Sequence, residues 1–138
     1  MKLSTIGNIE AKKFDFIDPY THEKTGITVT IYPKNSKQGK QAEHSMRLKI
    51  IDLMKDENNV TEIEGQKNIR PDLIMKLSLE MVADLVIDWS GIEDENDNEL
   101  PFTKENCYLA LQQSNDLLEF IIDKSNDFSN FQKIKKKS

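Results

Sequence analysis

One cysteine in 138 residues, Cys107, excludes an internal disulfide and fits a reducing compartment. Histidine is nearly as scarce. His22 and His44 stand apart, neither with a second ligand three or four residues on, and Cys107 has no CxxC partner, so no metal site is expected. The five glycines are scattered singly, which removes a glycine-rich phosphate loop. No apolar run approaches the ~20 residues that cross a bilayer. Met1-Lys2-Leu3-Ser4-Thr5-Ile6-Gly7 meets polar residues at once, so there is no secretory core either, and the Asn59-Val60-Thr61 sequon carries no weight. Nineteen basic side chains against twenty-four acidic ones give a net charge of −5, which argues against general binding to nucleic acid backbones.

What is present suits one globular domain over residues 1–138. Hydrophobic residues make up 37% and charged residues 31%. A chain of this length buries roughly two thirds of its unfolded surface, enough to stand without a metal or disulfide.

The segment from Pro71 to Phe102 organises the rest. Arg70-Pro71-Asp72 is a helix start, with proline in the first turn and a carboxylate near the positive end of the dipole. Leu73, Ile74, Leu77, Met81, Val82, Leu85, Val86 and Trp89 then recur at spacings of three and four. Leu79, Ala83 and Ile87 widen that face, so the helix is expected to run to Trp89 and to be surrounded by other elements. Gly91 ends the pattern, and Glu93–Glu99 reads as a solvated acidic turn.

Ahead of this helix, residues 12–32 read as a β-hairpin. Ile27-Thr28-Val29-Thr30-Ile31-Tyr32 alternates cleanly, with Ile27, Val29 and Ile31 on the buried face. A lone hairpin is marginal, so it must lie on helices or pair with another chain. A helix then starts at Ser36 or shortly after Gly39, with Met46, Ile50, Leu53 and Met54 facing inward and Leu48 and Ile51 beside them. Residues 57–69 are a polar connector, either a mobile loop or a fraying continuation of the helix. Thr103 and Ser114 are N-caps of two further helices, and Ser125-Asn126-Asp127 reads as a third cap. Phe128, Phe131 and Ile134 suggest a last turn before a basic tail, expected to be disordered, at 132–138. The fold class that follows is α+β and mostly helical, a hairpin packed on a bundle of about four helices over 36–131.

None of the candidate chemistry outweighs its plain structural reading. Asp94-x-Asn96-x-Asn98 with Glu105 has calcium-loop spacing, but Glu99 stands where that loop needs glycine. Cys107 lies near a helix start that would lower its pKa, yet a half-buried small residue is the better reading. The carboxylates sit in polar runs where water keeps them ordinary. Neither an enzyme nor a cofactor is expected.

The order of features nevertheless resembles a family. Asp18-Pro19-x-Thr21-x-Glu23-x-Thr25-Gly26-Ile27 leads to Asn35-Ser36 and a helix. Then follow Asp88-Trp89-Ser90-Gly91-Ile92, the acidic turn, Leu100-Pro101-Phe102-Thr103-x-Glu105-Asn106 and Asn126-Asp127-Phe128-x-Asn130-Phe131. Over roughly residues 14–131 this is similar to the tail assembly chaperones of long-tailed phages and prophages, with Asn98 where glycine is expected. The resemblance implies a non-enzymatic protein of the bacterial host cytoplasm, bound neither to nucleic acid nor to membrane. It would bind the tape measure protein, help recruit tail tube protein, self-associate, and be absent from the mature virion. The alternative in that setting is a structural minor tail or head–tail connector protein. Adaptable apolar contacts would come from the hairpin face opposite the core (Phe14, Phe16, Tyr32) and from Phe120, Phe128 and Phe131. Trp89, Gly91, Pro101 and Phe102 would be structural anchors.

Overall fold

Strands β1 (Lys12–Ile17) and β2 (Lys24–Ile31) form the antiparallel hairpin that the alternation predicts, with Phe14 opposite Val29. The computed structural model describes residues 10–131, so the basic tail and Ile134 lie outside the described residues. Residues directly opposed across a ladder share a face. Phe14 therefore sides with Val29, and Phe16, two residues on, is buried with it. The expectation that Phe14 and Phe16 face away from the core is corrected by this register.

The hairpin finds its missing partner within the same chain. β5 (Val86–Ser90) pairs antiparallel with β2, giving a three-stranded sheet in the order β1-β2-β5. This corrects the long central helix, because α2 (Pro71–Asp84) stops short and Trp89 lies on a strand. Trp89 opposes Val29 and Asp88 opposes Thr30, but the next pair is Val86 with Ile31. Ile87 is an extra residue, a bulge that turns both Val86 and Trp89 inward. Two inward positions three residues apart mimic a helical spacing, which is why periodicity alone misassigns the segment.

α1 (Lys37–Leu53) starts at Ser36, whose hydroxyl accepts from the Gly39 amide at 3.1 Å. Residues 57–69 form regular secondary structure. A short 3-10 turn (Glu57–Asn59) leads into a second hairpin, β3 (Val60–Ile63) with β4 (Gln66–Ile69). Its loop is Glu64-Gly65, with φ of 52° and 78°. Two positive values in a two-residue loop match the twist of paired strands, so neither a mobile loop nor a longer helix forms. Ile69 is buried while Ile63 at the tip is exposed.

α3 (Lys104–Gln113) and α4 (Asn115–Asn126) begin at Thr103 and Ser114 as their capping chemistry predicts. Ser125 is not a cap. It is buried inside α4, donates to the Ile122 carbonyl, and its own carbonyl accepts from the Lys34 amide. Of the predicted Ser125-Asn126-Asp127 cap, Asp127 is the member that caps, accepting from the Ser129 amide in the closing 3-10 turn (Phe128–Phe131). The core gathers Phe16, Val29 and Ile31 from the sheet, Leu79, Val82 and Ala83 from α2, and Cys107, Leu111, Leu117 and Ile121 from α3 and α4. The class is α+β with, among the described residues, four α-helices, as expected, but five strands in two sheets.

Candidate functional site

Trp89 is the centre of the anchor cluster. Its strand directs the ring into the core, and its indole Nε1–H donates to the Leu100 carbonyl at 2.8 Å. Phe102 meets the indole edge to face at 5.2 Å between centroids and 81° between planes, a preferred aromatic geometry. Gly91 has φ of 82°, and a Cβ there would fall inside contact distance of the Gly26 carbonyl oxygen. Glycine is required twice over, by the left-handed backbone and by the close approach. Pro101 is exposed and contributes through its carbonyl, which accepts from the Asn106 side chain at 2.9 Å.

Between these anchors the acidic turn closes on itself. Glu93 and Glu99 form an isolated bridge, and the Asp94 carboxylate accepts from the amides of Asn96 and Asn98 at 2.9 and 3.0 Å. The left-handed residue is Asp97, with φ of 62°, rather than Asn98. Asp94 thus has a structural use that needs no calcium.

Lys104 is a residue that sequence reasoning missed. Its ammonium donates to the carbonyls of Ala83 (3.0 Å) and Val86 (2.7 Å), where α2 gives way to β5. Carbonyls at a helix end lack intrahelical partners, and a cation there also suits the dipole. Nothing in periodicity marks it, since the signal is purely tertiary.

The aromatic residues divide by burial. Phe16 and Phe131 are core, Phe14 packs edge to face on Phe131 at 5.6 Å, and Phe120 does so on Phe16 at 5.1 Å. Lys124 stands over both Phe14 and Phe120, 5.4 and 5.6 Å from their centroids. Of the six proposed contact residues, Phe128 is exposed, Phe14, Tyr32 and Phe120 are half-buried, and Phe16 and Phe131 are buried. The apolar residues that are exposed include Tyr20, Leu48, Ile51, Ile63, Met75 and Leu109. Their strand or helix context gave Leu48 and Ile51 a place near the inner face, which the structure does not.

Cys107 is fully buried, and burial pushes its thiol up to about 11; Lys104 partly offsets this and Asp84 adds to it. The lowered pKa of a helix-start thiolate is therefore not found. Open depressions mark the surface of the described residues. One, of about 540 Å³, lies between α2 and α3, lined by Glu80, Lys104, Glu105, Asn106, Tyr108 and Leu109. Another, of about 320 Å³, joins the end of α1 to the second hairpin around Met54, Val60 and Lys67. Neither lining contains histidine or cysteine. Among the described residues, no three His, Cys, Asp or Glu side chains gather as metal ligands, and no helix is long and apolar enough to cross a membrane.

Residues 35–138 match the model of a family described as YdaY prophage protein. No curated protein and no solved structure matches the chain.

Proposed function

Given that the chain belongs to the YdaY prophage protein family, we propose that it is a tail assembly chaperone, a protein that works by binding and catalyses nothing. The observation that carries this reading is the Trp89 cluster. In the most specific part of the resemblance, Trp89 contacts Leu100 and Phe102, and Glu93 bridges Glu99 across the acidic turn between them. They form one structural unit, which is what the reading rests on.

In this role the protein binds the tape measure protein, keeps its apolar helices from aggregating, and helps bring tail tube subunits to it. It acts in the host cytoplasm and leaves before the virion is complete. Such work needs exposed apolar side chains with little geometric demand, and Phe128, Met75 and Leu109 offer them.

Deleting the gene from an inducible prophage tests the proposal. The expected outcome is heads without tails, with tape measure protein lost from the soluble fraction, while mass spectrometry of wild-type virions finds none of this chain. Normal tails in the deletion strain would end the reading. Recovery of the chain at fixed stoichiometry in virions would favour a structural minor tail or head–tail connector protein.

A further inference from the structure

Helix α1 is packed on one side only. Its sustained neighbour is α2, where Ala42, Ser45, Met46 and Lys49 meet Leu77, Glu80, Met81 and Asp84. Only Gly39 and Ala42 of its 17 residues are buried. The stripe opposite α2 follows from 3.6-residue periodicity and carries Lys37, Lys40, His44, Leu48 and Ile51. Leu48 and Ile51, one turn apart, are 54% and 60% exposed.

The charge on this element opposes that of the whole chain. Within α1 there are four basic residues (Lys37, Lys40, Arg47, Lys49) and two acidic ones (Glu43, Asp52), a net of +2 in a protein whose total is −5. Arg47 pairs with Glu43, Lys55 with Asp52 and Lys49 with Glu80. Lys37 and Lys40 form no ion pair among the described residues.

We propose that the outer face of α1 docks an acidic amphipathic helix of a partner protein. That partner seats apolar side chains on Leu48 and Ile51 and sets carboxylates against Lys37 and Lys40. An apolar centre is unsuited to a phosphate backbone, which wants cations throughout. On α4 a second copy offers no matching surface. The acidic stripe on α4 (Asp116, Glu119, Asp123) exposes no large apolar side chain beside its carboxylates. The proposal does not depend on a role in tail assembly.

The test titrates the full chain into a labelled peptide about 20 residues long, enough for a stable helix, patterned with leucine on one face and glutamate elsewhere. A second peptide carries lysine for every glutamate. The acidic peptide binds, its affinity falls as salt rises, and the basic peptide does not bind. L48S/I51S and K37E/K40E each weaken binding by about tenfold or more, with circular dichroism and unfolding midpoint unchanged. Absence of binding, equal binding of both peptides, or full affinity in both variants overturns the proposal. So does concentration-dependent dimerisation that L48S/I51S abolishes, or preferential binding of duplex DNA to the same face.

Discussion

The indole nitrogen of Trp89 and the carbonyl oxygen of Leu100 are joined by a 2.8 Å hydrogen bond. That bond spans the acidic turn and ties the end of β5 to the start of the segment leading into α3. The indole therefore both fills the core and fastens the loop.

Trp89→Phe keeps most of the apolar volume but strands the partly buried Leu100 carbonyl. It should cost about 1–3 kcal/mol. Urea unfolding reads this as a lower midpoint with an unchanged slope; an unaltered midpoint would show the bond to be dispensable.

Gly91→Ala and Gly65→Ala separate backbone strain from steric contact. Both glycines have positive φ, 78° at Gly65 with open space around it and 82° at Gly91 against the Gly26 carbonyl. Alanine at Gly65 is expected to cost roughly 1–2 kcal/mol, the left-handed penalty. At Gly91 the loss should exceed this by about 1 kcal/mol or more, since the backbone must also move. Thermal midpoints of the two variants, measured side by side, test the ordering.

Helix starts should differ in sensitivity. Ser36 is buried, accepting from Gly39 and donating to the Pro33 carbonyl at 2.6 Å, whereas Thr103 is exposed and caps Asn106 alone. Ser36→Ala is expected near the upper end of the usual capping loss, about 2 kcal/mol, and Thr103→Ala near 1 kcal/mol. Denaturant unfolding of both variants would expose a reversed order.

The Cys107 thiol titrates near 11 in the folded chain because burial disfavours the thiolate, against an ordinary value of 9.0. Below pH 9 both folded and unfolded states hold the proton, so the preference is fully present. Between about 9 and 11 the unfolded state alone releases it, and stability must fall as pH rises. Cys107→Ala should flatten that slope. In the folded protein at neutral pH, alkylation by iodoacetamide should be slow and should accelerate with denaturant.

Much of the fold is legible in the chain. The Ile27–Ile31 alternation, the proline start at Pro71 and the hydroxyl caps at Thr103 and Ser114 each act within a few residues, and each appears where local chemistry puts it. The second hairpin was hidden by polar composition and by an unusual Glu64-Gly65 loop lacking the asparagine or aspartate that commonly marks it. The candidate site was legible only as a list of anchors. Trp89, Gly91, Pro101 and Phe102 stood out as residue types, but the partners that give them work, Leu100, Gly26 and Asn106, did not.

By itself the sequence determined the class, the hairpin, three of the four helix starts and the lack of any cysteine framework, because these follow from local propensity and composition. Tertiary structure decided where α2 ends, since an open edge of β2 competes for Val86–Ser90 and a bulge at Ile87 lets Val86 and Trp89 both reach the core. It also decided which aromatic rings face water, because strand register, invisible one strand at a time, turned Phe14 and Phe16 to the side of Val29.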